Sequence, residues 1–232
     1  MRLDRFLAER SAGSRKQVKE LIAKGRVTVN GEVVCRPEYQ VAEADLVAAD
    51  GETISAEAYE YWLLYKPAGY LSAAADKTKP VVTELVPSAR KDLAPVGRLD
   101  LDTEGLLLVT NDGALSHRLL SPKYHVEKCY YAELDADLPP DAAARFSESM
   151  VFSDFTAKPA VSFEQVSDRK ALLAITEGKY HQVKRMFGKL GCEVVYLRRE
   201  RFGPLSLVGM KKGEARQLTE AEIHLLKEAS ER

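Results

Sequence analysis

Apolar residues at Leu3, Phe6 and Leu7 recur at helical spacing at the start of the chain, and Val18, Leu21 and Ile22 repeat the stripe one segment later. Ser14, with Gln17 three positions on, fits the capping box that would open this second helix, and Gly25 fits a left-handed stop at its end. Val27-Thr28-Val29 and Glu32-Val33-Val34 flank Asn30-Gly31, the strongest two-residue hairpin signal. A compact helix–helix–hairpin module is predicted. Residues 37–60 read as the tail of that module plus a linker. The pattern then changes. Trp62-Leu63-Leu64-Tyr65-Lys66 is an apolar strand halted by Pro67, and short β-type runs at 106–110, 129–134, 161–166, 171–176 and 193–197 follow. Only a few helical stretches interrupt them, at 114–120, 139–148 and 181–190. Near the end, Thr219 and Glu222 stand at capping-box spacing with Leu218 and Ile223 placed as a hydrophobic staple, so a last helix should run from about Glu220. The predicted fold class is α+β. A small module over residues 1–57 precedes a mixed, mainly antiparallel sheet with flanking helices over 58–232.

Composition agrees with this division and adds a partner class. The 232 residues are 45% hydrophobic and 30% charged, enough to build more than one core. Met1 to Arg5 interleaves charged with apolar residues and contains no continuous apolar run, so neither a secretory signal nor a membrane span is read there; a cytoplasmic protein with no membrane partner is expected. Cys35, Cys129 and Cys192 are odd in number and far apart, which favours free thiols over a disulfide framework or a zinc site. The formal net charge of −1 argues mildly against a nucleic-acid partner, but its distribution points the other way. Residues 1–36 hold nine basic and four acidic residues, a balance of +5, and residues 177–212 hold nine basic and three acidic, a balance of +6. Residues 37–60 carry seven acids and no base. Two separated basic blocks suit an enzyme that grips a phosphate backbone in two places, and solvated basic faces are the plainer alternative.

The run most informative about chemistry is Gly97-Arg98-Leu99-Asp100-Leu101-Asp102-Thr103-Glu104-Gly105, followed by the apolar Leu106-Leu107-Leu108-Val109. A polar loop between glycines delivers a carboxylate just before a buried strand, a rigid support for a catalytic group. An aspartate in a loop equally fits a turn or a cap, and Asp112, between a strand and the helix that follows, is read as an N-cap. Asp102 and Glu104 stay open. Asp100 and Asp102 together also fit the paired carboxylates of a glycoside hydrolase. His117, His125, His181 and His224 show no ligand spacing on a helix, and the chain has no Gly-x-Gly-x-x-Gly fingerprint and no phosphate loop. No metal and no cofactor are therefore predicted.

In its order of elements, and in Ser14-Arg15-Lys16 through Gly25-Arg26-Val27-Thr28-Val29-Asn30-Gly31, the front module resembles the S4 RNA-binding domain. Arg5, Arg15, Lys16, Lys19, Lys24 and Arg26 are its expected RNA contacts. The run Gly97 to Asp100, with Thr103, Gly105 and the strand behind it, resembles the signature of the RsuA family of pseudouridine synthases. Lys66-Pro67-Ala68-Gly69-Tyr70 resembles the family's first motif, Glu127-Lys128-Cys129-Tyr130 its tyrosine segment, and Glu177-Gly178-Lys179-Tyr180-His181-Gln182-Val183-Lys184-Arg185-Met186-Phe187 its late basic motif. The resemblance implies a cofactor-free isomerase of ribosomal RNA in which Asp100 is the nucleophile, Tyr130 stacks on the extruded uracil, and Lys184, where many relatives carry arginine, pairs with Asp100. It assigns Lys66, Arg98, Lys128, His181, Gln182 and Arg185 to RNA contact. Segments 116–122 and 177–185 look more like the family's small-subunit enzyme. That points to uridine 516 of 16S rRNA, within a small-subunit assembly intermediate and acted on by a monomer. The alternatives are a large-subunit (23S) enzyme and a non-catalytic S4-type RNA-binding protein.

Overall fold

A computed structural model describes residues 1–10, 15–42, 44–54 and 59–231. They form two compact units, one of residues 1–60 with 89–92 and the other of residues 61–88 with 93–232. The expected boundary at 57/58 and the Ser14 cap both fall outside the described residues.

In the first unit, α1 (Leu3–Glu9) and α2 (Arg15–Ala23) pack on a small sheet. Leu3, Phe6, Leu7, Val18 and Ile22 are buried together with Val27 and Val29, so the two apolar stripes meet where their spacing predicts. Arg26 donates its backbone N–H to Leu21 and closes α2 around Gly25. The first hairpin pairs β1 (Val27–Val29) with β2 (Glu32–Val33), turning at Asn30 and Gly31 with φ of 52° and 85°. The acidic stretch departs from its reading as tail and linker. It contains β3 (Val47–Ala49) and β4 (Glu52–Ile54), a second hairpin turning at Asp50 and Gly51 with φ of 53° and 82°, and the sheet order is β2-β1-β3-β4. Charge composition concealed an Asp-Gly turn signal between two short alternating strands.

The second unit is built on one large sheet. In chain order come β5 (Tyr61–Lys66), β6 (Ala94–Pro95), β7 (Glu104–Thr110), α3 (Gly113–Leu120), β8 (Lys128–Leu134), α4 (Ala142–Phe146), the short pair β9 (Met150–Val151) and β10 (Thr156–Ala157), β11 (Ser162–Ser167), β12 (Lys170–Ile175), α5 (Gln182–Lys189), β13 (Val194–Phe202), β14 (Leu205–Ser206), β15 (Ala215–Gln217) and α6 (Glu220–Ala229). The strand order is β11-β12-β8-β13-β7-β5-β15, with β14 beside β13 and β6 beside β7. Every pairing described in this sheet is antiparallel except β13 with β7, as a mixed, mainly antiparallel sheet requires. Alternate residues of the central strands feed two cores. Trp62, Leu64, Leu107 and Val109 pack with α4 and α5, while Leu63, Leu106 and Leu108 pack with α3 and α6. Burial on both faces explains the continuous apolar runs.

Asp112 caps α3 by accepting the Leu115 N–H at 2.9 Å, and Thr219 with Glu222 forms the expected capping box of α6, beneath which Leu218 and Ile223 pack in one cluster. No helix among the described residues is long and apolar enough to cross a membrane.

The parallel pairing of β13 with β7 places Gly105 against Arg199 at close range. A Cβ on Gly105, whose φ is +111°, would lie 2.3 Å from the Arg199 carbonyl oxygen. Gly105→Ala should therefore destabilise the fold by about 3 kcal/mol or more, since backbone strain and overlap with an immovable strand add. A urea titration with unchanged slope and an unchanged midpoint would contradict this.

Candidate active site

The loop that carries Asp100 is held by backbone contacts rather than by its side chains. Lys66, the last residue of β5, is fully buried, and its Nζ donates to the carbonyl oxygens of Thr103 (2.7 Å), Asp100 (3.1 Å), Pro67 (3.1 Å) and Leu101 (3.4 Å). Gly69 donates its N–H to Leu101 O at 2.7 Å, and the Ser72 hydroxyl bonds both the N–H and the carbonyl of Leu99. The stretch after β5 is thus the mould in which the loop is cast. This corrects the reading of Lys66 as an RNA contact: the ammonium has no surface to offer. Ser72, which sequence reasoning missed, carried no signal beyond being a hydroxyl near a proline-halted strand.

The resulting cleft is lined by Arg98, Leu99, Asp100, Thr103, Tyr130, His181 and Lys184, with an apolar wall of Ile175, Val183 and Leu197. Tyr130 is buried on β8 and its ring lines this cleft, whereas Tyr131, pointing to the opposite face, gives its hydroxyl to Glu133 at 2.8 Å. Asp100 keeps its carboxylate about a third exposed, with Lys184 Nζ 3.5 Å from Oδ2 and His181 Nε2 3.5 Å from Oδ1. Lys184 comes from the first turn of α5, a helix that buries Val183, Met186 and Phe187.

The expected Lys184–Asp100 ion pair is present at 3.5 Å, and Lys184 has a second partner that the sequence did not give: it hydrogen-bonds Asp102 at 2.7 and 2.8 Å. That hydrogen bond holds the Asp102 carboxyl below the usual carboxylate range, against the opposing effect of desolvation. One ammonium therefore faces two carboxylates of the same loop, which places Asp102 at the site after all. Glu104, also left open by the sequence, is buried and accepts from Tyr196 and from Lys212, each at 2.8 Å. Burial pushes its carboxyl up, and those bonds more than offset it.

Other expected RNA contacts divide by burial. In the first unit Arg5, Lys16, Lys19, Lys24 and Arg26 are exposed, Arg26 paired with Asp50, while the Arg15 side chain lies outside the described residues. Arg98 is exposed at the cleft rim. Lys128 is buried, its Nζ donating to Val126 O at 2.7 Å and Thr176 O at 3.4 Å, so it is a structural cation and not a phosphate contact. Gln182 is buried too: its amide accepts from the Lys179 N–H and donates to Glu177, fastening the turn ahead of α5. Arg185 is tied to Asp154 and lies over the Phe152 and Phe155 rings, at 4.7 and 4.6 Å, outside the set of cleft-lining side chains. Gln182 nevertheless lines the cleft and Arg185 is only partly buried, so burial removes Lys66 and Lys128 alone from the RNA-facing set; a motif does not record which side of a sheet becomes interior. Among the described residues no group of three or more His, Cys, Asp or Glu is arranged to hold a metal ion.

Burial lowers the Lys66 ammonium to about 8, against nearby Glu104, Asp102 and Asp100, and lowers Lys128 to about 8 with Arg199 adding repulsion. The usual lysine value is 10.5, so between about pH 8 and 10.5 the unfolded chain binds more protons at these two positions than the folded chain. Their unfavourable burial as cations is present in full below pH 8 and relieved as pH rises through that window. Stability of the wild type relative to a Lys66→Met/Lys128→Met variant should increase from pH 8 to 10. Parallel pH dependences in chemical denaturation would refute the assignment.

The comparisons with known proteins agree on one family. The family model for RNA pseudouridylate synthase matches residues 60–189, and the S4 domain model matches residues 1–47. Ribosomal small subunit pseudouridine synthase A of Escherichia coli (strain K12) is 41% identical over 96% of this chain and 98% of its own length. Ribosomal large subunit pseudouridine synthase B of Bacillus subtilis (strain 168) is 37% identical over 97% and 95%. A crystal structure of a pseudouridylate synthase is 36% identical with a TM-score of 0.69, covering 97% of this chain and 99% of that one. With the family model spanning the Asp100 loop, Tyr130 and Lys184, the hydrolase and non-catalytic readings fall, and the chain belongs to the RsuA-like RNA pseudouridylate synthases, with an S4 domain at its amino terminus.

Proposed function

We propose that the protein converts one uridine of ribosomal RNA to pseudouridine, with Asp100 as the nucleophile and the target base turned out of its stack into the cleft. The observation that carries this reading is a carboxylate on a backbone-clamped loop, facing the cleft with its side chain still partly free and a lysine ammonium 3.5 Å away. The reaction breaks the bond from C1′ to N1 and forms one from C1′ to C5. N1 gains a proton and C5 loses one, so no electrons leave or enter. Asp100 starts it by attack on the nucleotide or by assisting cleavage of the glycosidic bond. Lys184 supplies a positive charge beside Asp100 when the base displaces water, and Tyr130 offers its ring to the uracil. Residues 58–232 supply the chemistry, while residues 1–57 anchor RNA through the exposed Lys16, Lys19 and Lys24.

The target we favour is uridine 516 of 16S rRNA, met by a monomer within a small-subunit assembly intermediate. The 41% identity to the Escherichia coli small-subunit enzyme and the likeness of segments 116–122 and 177–185 support it. The 37% identity to the Bacillus subtilis large-subunit enzyme supports a second reading with a 23S target. Mapping pseudouridines in both rRNAs from cells with and without the gene separates them: loss of the 16S modification is expected, and loss from 23S alone would replace the target.

Asp100→Asn should abolish product while RNA binding and folding persist, because an amide keeps the shape but is no nucleophile. Asp102→Asn should retain turnover, since Lys184 then has Asp100 as its remaining carboxylate neighbour. Inactivity of Asp102→Asn alongside turnover by Asp100→Asn would exchange the two roles.

A further inference from the structure

The mouth of the cleft carries an aromatic pair that the isomerisation itself does not use. His181 is the N-cap of α5 and holds a left-handed backbone with φ 50°. The preceding Tyr180 lies flat on its imidazole, with ring centroids 3.8 Å apart and planes inclined by 18°. The imidazole approaches Asp100, Nε2 to Oδ1 3.5 Å, so one member of the stack stands beside that carboxylate. The other faces water: Tyr180 is 73% exposed. The rim around it is cationic, with Lys179 and Arg98 both exposed.

A single exposed aromatic on a soluble protein needs no explanation. Here one face of the ring is already covered by the imidazole of the residue that opens α5, and the cleft this imidazole lines carries two exposed cations, so part of the ring's freedom is already lost before binding. Turning one nucleotide out of an RNA leaves its neighbours with an uncovered π-face, and proteins meet such faces with aromatic rings flanked by Lys or Arg. We propose that Tyr180, backed by His181, is a stacking ledge for the base of a nucleotide adjoining the target uridine. The inference rests on the RNA-modifying reading above and adds a subsite to it. Tyr180 thereby acts on RNA binding and on the choice of sequence context, and not on the chemical step.

The test uses the full-length protein and a short rRNA fragment that the wild type converts, carrying 2-aminopurine in turn on the 5′ and the 3′ side of the target. Stacking on Tyr180 quenches the fluorophore. Because Tyr180 is exposed, its truncation leaves the fold in place. Tyr180→Ala should weaken RNA binding about ten-fold, as loss of one base–aromatic stack does, and abolish the quench at one of the two flanking positions. The single-turnover rate at saturating enzyme should stay within about two-fold of wild type, and Tyr180→Phe should restore both affinity and quench. Unchanged affinity and quench in Tyr180→Ala overturn the ledge, as does a large loss of saturated rate at unchanged affinity. If the wild type converts no rRNA fragment, the functional reading fails and the ledge fails with it. An active wild type beside an insensitive Tyr180→Ala removes the ledge alone.

Discussion

The active-site loop depends on one buried ammonium. Lys66 Nζ, without solvent contact, is received by four carbonyl oxygens, three of them from residues 100, 101 and 103. A cation this deep is costly unless its protons are all accepted, and the peptide dipoles of the loop accept them. The same bonds decide the loop's path. Since the path is set through main-chain oxygens, the Asp100 carboxylate is not consumed in holding it and stays available to a substrate.

Around that fixed loop, charge is shared and not matched one to one. Lys184 hydrogen-bonds Asp102 and stands within 3.5 Å of Asp100, so the carboxylate with the better geometry is the more exposed of the two. An exposed pair of this sort contributes little to stability. It does keep a cation within 3.5 Å of Asp100. A lysine ammonium is a point charge on a flexible stem, able to serve either neighbour.

Nearby residues of one motif part company once the chain is folded. Along β8, Lys128 and Tyr130 are both buried, yet the lysine is spent on the carbonyls of residues 126 and 176 while the tyrosine ring lines the cleft. Along α5, Lys184 reaches the Asp100 loop and its neighbour Arg185 is turned toward Asp154 and two phenylalanine rings. Neighbours in a helix are about 100° apart, so adjacent charges in a motif seldom share a task.

The sequence by itself determined what depends on local pattern. The periodicity of Leu3 to Ile22, the Asn30-Gly31 turn, the Thr219–Glu222 box, the Asp112 cap and the apolar runs at Trp62 and Leu106 act within a few residues, so their signals survive in one dimension. The order of motifs likewise marked Asp100, Tyr130 and Lys184, which the fold brings to one cleft. The second hairpin of the first unit was legible in Asp50-Gly51 but masked by a run of acids. Only the tertiary structure decided which cations are interior, that Asp102 and not Asp100 takes the lysine's hydrogen bonds, and that Ser72 and Lys66 hold the loop. Those outcomes follow from which groups, distant in the chain, the fold brings together. Solvent exclusion is a property of the packed sheet and helices, and no residue's neighbours in the chain record it.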